Sequence, residues 1–366
     1  MTRSSFASLL LTIALLTLGD RPRLSAQPGA VEKVIGGPYV VNVGQRAATV
    51  MWVVQTGQVA AGAEPSKLDQ IVPVLRSQKT TLNGLKAGTT YHYQAFAGDA
   101  GKGSFKTAPA GEARFQFVVY GDTRTRHEVH RSVINGVLKN ANPDFVVHTG
   151  DLVENGADPA LWPIFFDAER ELLRKTAFFP ALGNHERHAN NYDDFMDAKP
   201  YYSFNWGSAH LAIVDSDIGT VGVTQAERDS YWQQQVRWLE DDLEKAQKSD
   251  FRFVFAHHPP MTAVKRRQGA SPHMTALEPL FKKYRLTAGF FGHDHNYQHY
   301  LKDGIHYFIT GGGGAPLYDV DEPPAGITKK VESTENFVIV NVDGKKIHIE
   351  AKRPNGSTID VAELGQ

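Results

Sequence analysis

The chain has 366 residues, with 39 Lys and Arg against 40 Asp and Glu and a formal net charge of -1. That balance excludes a global field favouring nucleic acid or an acidic membrane surface. With 41% hydrophobic residues, 22% charged residues and no cysteine, the makeup is that of a globular protein long enough for two domains, and it excludes disulfides, thiolate catalysis and cysteine-ligated zinc.

The first element in chain order is a targeting segment. Arg3 precedes an apolar run over 9–18, and Leu24-Ser25-Ala26 offers a small-residue cleavage site. This layout predicts a secretory signal peptide over 1–26, with an uncleaved N-terminal anchor as the alternative, and therefore a secreted or periplasmic protein. No later run approaches a membrane-spanning length, so no membrane segment is expected after cleavage.

Residues 31–109 read as a small all-β sandwich. The run 47–54 is strand-like, and Thr89-Thr90-Tyr91-His92-Tyr93-Gln94-Ala95-Phe96 alternates apolar and polar residues. Gly- and Asp-rich breaks separate the runs at strand spacing. Residues 110–112 form a short linker.

From 113 to 366 strands and helices alternate. Apolar runs over 114–120, 144–148 and 177–182 are separated by helical spacing over 129–138 and 159–174. Such a βαβαβ pattern predicts a buried, largely parallel sheet, with any active site at the carboxyl ends of its strands. Further on, 227–247 reads as a charged amphipathic helix, 251–256 as a strand, 275–284 as a helix, 288–291 as a strand and 337–351 as a closing hairpin.

Five short motifs follow the apolar runs. They are Gly121-Asp122, Gly150-Asp151, Gly183-Asn184-His185-Glu186, His257-His258-Pro259 and Gly292-His293-Asp294-His295. Alone, a strand-end Gly-Asp is most often a turn and Gly-Asn-His-Glu is as readily a helix N-cap. All five in this order supply Asp, Asp, Asn, His, His and His, hard oxygens and imidazoles suited to two adjacent cations. Only a fold can gather ligands so widely spread, so the chain is expected to be a two-metal hydrolase.

With these motifs the chain resembles the calcineurin-like metallophosphoesterases, and among them the purple acid phosphatase type. Trp52 and the stretch Leu82 to Tyr93 resemble a fibronectin type III domain, the N-terminal module of that type. The resemblance implies an α/β fold, a metallophosphoesterase β-sandwich flanked by helices, behind a fibronectin-like sandwich. It also implies two metal ions, iron plus zinc, manganese or a second iron, and a small phosphorylated substrate without a nucleic-acid partner.

Carried over residue by residue, Asp122 and His295 bind the first metal, Asp151 bridges, and Asn184, His257 and His293 bind the second. A bridging carboxylate is what two cations about 3.5–4 Å apart require. His185 lies beside the substrate as a catalytic residue that protonates the leaving oxygen or stabilises the transition state, with Glu186 as its neighbour. The implied reaction is phosphate monoester hydrolysis by a metal-activated hydroxide. The alternatives are a phosphodiesterase or nucleotide hydrolase on the same core, or a secreted binding protein with a disabled core.

Three features depart from the pattern. Arg124 stands where the family often has a ligating His; a guanidinium cannot ligate, but it can fork onto phosphate oxygens or pair with a carboxylate. Glu154 stands where purple enzymes have Tyr, so no purple colour is expected, and Glu154 either replaces a ligand or faces solvent. Lys265-Arg266-Arg267 is either a solvated charge run or a basic lip that recruits a phosphorylated substrate, with His273 a second-rank candidate. Gly311-Gly312-Gly313-Gly314 is either a plain loop or a place where backbone approaches the site. His92, His148, His210 and His348 are read as structural.

Overall fold

The strand Phe115–Tyr120 sets the pattern for the whole architecture. Phe117 and Val119 face one apolar cluster, Val118 and Tyr120 face another, and all four are fully buried. A strand covered on both faces belongs in the middle of a layered α/β structure. The computed structural model describes residues 32–365, so the targeting segment expected over 1–26 lies outside the described residues.

The chain begins with β1 (Lys33–Val41), β2 (Ala47–Ala61), β3 (Gln70–Asn83), β4 (Thr90–Gln94) and β5 (Lys102–Lys106). Alternation then sets in with β6 (Phe115–Tyr120), α1 (His127–Asn140), β7 (Phe145–His148), α2 (Trp162–Leu173), β8 (Ala177–Pro180) and α3 (Asn190–Met196). Next come β9 (Tyr202–Trp206), β10 (Ala209–Val214), α4 (Gln225–Lys245), β11 (Phe251–Ala256), α5 (Pro272–Thr275), α6 (Glu278–Lys283) and β12 (Ala288–Phe291). The remainder is β13 (Tyr297–Lys302), β14 (Ile305–Thr310), β15 (Thr328–Glu332), β16 (Phe337–Asp343), β17 (Lys346–Lys352) and β18 (Thr358–Gly365).

Two mixed sheets face each other. One has nine strands in the order β18-β17-β16-β6-β7-β8-β1-β2-β3, the other seven in the order β15-β13-β14-β12-β11-β10-β9. Between them lies a phenylalanine-rich core. Phe117 stacks on Phe145 at 4.9 Å from the first sheet and meets Phe253 and Phe290 edge-on at 5.6 and 6.1 Å from the second. Helices α1, α2 and α3 cover the outer face of the nine-stranded sheet. Leu239 and Leu243 of α4, Met274 of α5 and Phe281 of α6 cover the other. This is the helix-flanked β-sandwich anticipated from the sequence.

The N-terminal strands are placed differently from the separate sandwich expected over 31–109. β1 pairs in parallel with β8 at Val40 and Ala177, and β2 and β3 extend the same nine-stranded sheet, leaving β4 and β5 as a two-stranded ribbon. Residues from Glu32 onward group as one unit. The physical reason is that Tyr39, Val41, Met51 and Val53 are buried in the cluster around α2, so these strands share the core of the α/β layers. Some module-like detail persists: the Lys86 backbone N–H donates to the Tyr91 hydroxyl at 2.8 Å, as in a tyrosine corner. Trp52 is half-buried against Phe96.

Helix ends follow local chemistry. Thr224 and Glu227 form a capping box that starts α4. The helix expected over 275–284 is two short pieces, because Pro279 favours the first turn of a new helix. Among the described residues no helix is long and apolar enough to cross a membrane.

Phe117→Ala should cost about 3–5 kcal/mol, since it opens a cavity where both sheets meet. Urea unfolding measures this, and a loss below about 1 kcal/mol would mean the two sheets do not share this core.

Candidate metal centre

All five ligand-bearing motifs leave the carboxyl ends of strands in the sandwich. β6 delivers Asp122, β7 delivers Asp151 and β8 delivers Asn184 and His185, while β11 and β12 of the other sheet deliver His257 and His293. The backbone turns sharply at three of these exits: φ is 61° at Asp122, 58° at Asp151 and 68° at His293. Left-handed residues other than Gly are costly, and such strain concentrates at functional sites. The loops are also tightly apposed. A Cβ at Gly183 would lie 2.2 Å from the Asp151 nitrogen, and one at Gly311 would lie 2.8 Å from an Asp122 carboxylate oxygen. The four-glycine run therefore reaches the site, as one of its two readings required.

The side chains converge in a way that suits cations. The His257 Nδ1–H donates to the Thr149 carbonyl at 2.9 Å and the His295 Nδ1–H to the Pro316 carbonyl at 2.7 Å. A carbonyl only accepts, so each ring turns an Nε2 lone pair inward. His257 Nε2 then faces Asn184 Oδ1 at 3.0 Å, His293 Nδ1 at 3.1 Å and Asp151 Oδ1 at 3.4 Å, while His295 Nε2 faces Asp122 Oδ1 at 3.4 Å. Burial pushes the pKa of His257 down to about 3 and that of His295 down to about 4, so neither ring carries the extra proton that could bridge these acceptors. Burial and the neighbouring Asp151 carboxylate push Asp122 well above the carboxylate range, a pressure that a cation would reverse. Imidazole lone pairs, an amide oxygen and carboxylates gathered at these distances suit positive ions. Two groups of three can each close on one ion, Asp122 with Asp151 and His295, and His257 with His258 and His293.

His185 is clamped to the neighbouring loop three times, first by its backbone N–H, which donates to Asp151 Oδ1 at 3.0 Å. Its Nδ1–H donates to the Glu154 carbonyl at 2.7 Å and its carbonyl accepts the Gly156 N–H at 2.9 Å, which leaves Nε2 3.9 Å from Asp151 Oδ2. Arg124 sets Nε 3.5 Å from Asp151 Oδ2 and pairs Nη1 with the Glu154 carboxylate. Glu154 thus serves neither as a ligand in the acid and histidine groups nor as a free surface acid. Glu186 is a bracket: its buried carboxylate accepts the backbone N–H of Asp151 at 2.9 Å, Leu152 at 2.8 Å, Val153 at 3.2 Å and Gly183 at 2.8 Å. One side chain thereby ties the Asp151 loop to the Asn184 loop.

The basic run divides between its two readings. Lys265 and Arg266 are exposed, whereas Arg267 turns inward and sets Nη1 3.5 Å from buried Asp294. Both guanidinium groups lie over Tyr318, at 4.4 Å for Arg266 and 4.7 Å for Arg267, and Tyr318 stacks on His295 at 4.1 Å. A cleft of about 650 Å³ lined by Lys265, Arg266, Tyr318 and Asp321 opens beside this stack. At the edge of the site the His273 Nε2–H donates to the Ser216 carbonyl at 3.0 Å.

Two residues escaped the sequence reading. His258 joins the second group of potential ligands with its Nδ1 2.9 Å from Ser216 Oγ. Its position beside His257 was the only signal available. Ser216 follows β10 and shows no motif at all.

Residues 115–297, half of the chain, match the sequence model of the family described as "Calcineurin-like phosphoesterase". The chain belongs to that family. A purple acid phosphatase from Glycine max is 24% identical over 274 residues, covering 67% of this chain and 57% of that protein. The chain therefore spans little more than half the length of that relative. The tartrate-resistant acid phosphatase type 5 of Rattus norvegicus is 26% identical over 300 residues, covering 69% of this chain and 90% of that protein. Among solved structures, the purple acid phosphatase PPD1 from yellow lupin seeds superposes with a TM-score of 0.67 at 17% identity, covering 90% of this chain and 74% of that one, a likeness of fold.

Four N–H donors leave no room for a proton on Glu186, although burial and Asp151 push its pKa up to about 8. Glu186→Gln would set an amide NH2 against those donors and should cost about 3 kcal/mol. Thermal unfolding with measured metal content checks this; wild-type stability in Glu186→Gln would mean that the carboxyl is carried protonated.

Proposed function

We propose that this calcineurin-like phosphoesterase is a metal-dependent phosphoric ester hydrolase acting on phosphate monoesters. The observation that supports the reading is the inward convergence of Asn184, Asp151 and His293 on the Nε2 lone pair of His257, and of Asp122 on that of His295. Asp122, Asp151 and His295 would hold one ion, and Asn184, His257 and His293 the other, with Asp151 between them and His258 a further donor to the second ion. When bound, two such cations supply a nucleophile from water near neutral pH and neutralise charge on the transferring phosphoryl group.

The remaining steps belong to the chain's own groups. The Glu154 carbonyl holds the His185 ring with Nε2 toward the site, where it donates a proton to the departing oxygen. Arg124 keeps a buried Nε–H that makes no hydrogen bond, 3.5 Å from Asp151 Oδ2, and offers it to a non-bridging phosphoryl oxygen. The monoester preference is supported by the names of the soybean and rat relatives, both acid phosphatases. Export is part of the proposal, on the strength of Arg3, the apolar run over 9–18 and Leu24-Ser25-Ala26.

Phosphate release from a simple aryl phosphate should appear when purified residues 27–366 are loaded with iron, zinc or manganese, and vanish on chelation. Equal or faster cleavage of a matched diester would move the assignment to a phosphodiesterase. Asp151→Asn should lower kcat by more than the roughly 100-fold typical of residues that only support a ligand. An unchanged rate with unchanged metal content would remove Asp151 from between the ions.

A further inference from the structure

We infer that Glu154 is a positioning residue that fixes Arg124 with its carboxylate and His185 with its backbone carbonyl, so that one residue aligns both groups meant for the substrate phosphate. The inference rests on the phosphatase reading above and adds to it a residue that touches neither metal ligands nor substrate directly.

Three observations point the same way. The Arg124 guanidinium is the more buried partner, 12% exposed against 46% for Glu154, so the pair forms at the rim with the cation inside and the acid outside. Arg124 Nε is buried and makes no hydrogen bond, lying 3.5 Å from Asp151 Oδ2 as an ion pair only, whereas Nη1 is engaged by Glu154. A buried N–H costs free energy until something accepts from it, so the contact with Glu154 presents a donor rather than consuming the whole fork. Finally, the same residue's carbonyl accepts from His185 at 2.7 Å, and Gly156 two residues on donates to the His185 carbonyl at 2.9 Å. The 154–156 segment therefore runs alongside His185 and carries Arg124 on its side chain.

The geometry also gives a direction. An unpaired arginine loses much rotamer freedom when it grips an anion, and a charge pair already holding one end of the fork has met part of that cost. Truncating Glu154 should therefore weaken anion binding through Arg124, even though it removes a negative charge from the rim. A residue that merely countered the charge of Arg124 would have the opposite effect.

The probe is inorganic phosphate, titrated calorimetrically into the metal-loaded full-length protein and its Glu154→Ala, Glu154→Gln, Arg124→Ala and Glu154→Ala/Arg124→Ala forms. Glu154 is half-exposed, so the variants should fold, and thermal unfolding and metal content verify this. Glu154→Ala should weaken phosphate about tenfold, the scale of one charge-assisted hydrogen bond. Glu154→Gln, which keeps an acceptor for Arg124, should recover part of the loss, and the double variant should bind no worse than Arg124→Ala. With an aryl phosphate, Glu154→Ala should raise KM more than it lowers kcat. Tighter phosphate binding by Glu154→Ala, additive losses in the double variant, or a fall in metal content would each overturn the inference. Failure of the wild-type protein itself to bind phosphate or cleave esters would instead bring down the functional reading beneath it.

Discussion

The structure depends on a set of electron pairs that point at one another. His257, His293 and His295 are neutral imidazoles held in fixed tautomers or orientations, and they face the oxygens of Asn184, Asp151 and Asp122 at 3.0 to 3.4 Å or each other at 3.1 Å. Such an arrangement crowds lone pairs and carboxylates into one buried space, which a bound cation relieves. Folding must therefore bring together groups that resist assembly, and the surrounding elements can be understood as what makes that possible.

The sandwich supplies rigidity from two sides. Six residues of buried strand before Asp122 and the matching strand before His257 are locked into one aromatic core, where Phe117 meets both Phe253 and Phe255. The loops beyond these strands need separate restraint, because the strand ends alone do not fix them. Glu186 provides it by gathering four backbone N–H groups from two loops, and Asp122 accepts the His293 N–H at 2.9 Å across the gap between the sheets. Strained φ values at Asp122, Asp151 and His293 can persist only under that degree of restraint.

The sequence was legible where a rule of short range applied. Apolar runs ending in Gly-Asp, Gly-Asn-His or Gly-His marked strand ends, and the order of the five motifs identified the metal-binding type of site. What escaped was decided by contacts between distant segments. The pairing of β1 with β8 depends on a single register point, Val40 with Ala177, which no local pattern encodes. The alternating pattern of 31–109 is equally that of a closed sandwich and of an extension to a larger sheet. Ser216 and the inward turn of Arg267 had no signature, because a serine after a strand and a basic run on a loop occur mostly for other reasons.

The two departures at Arg124 and Glu154 gain sense only in three dimensions. Taken separately along the chain, each reads as a lost ligand, one on the loop after β6 and one on the loop after β7. In the fold their charges meet, and neither is left as an isolated buried ion. A cation and an anion changed together alter the chemistry offered to a substrate without altering the net charge of the rim. Arg124 also stands 3.5 Å from the carboxylate of Asp151, where it adds fixed positive charge beside the cluster of Asp122, Asp151 and His295. That position favours a site with fewer charged ligands of its own, relying on a guanidinium for part of the field that would draw in a phosphate dianion.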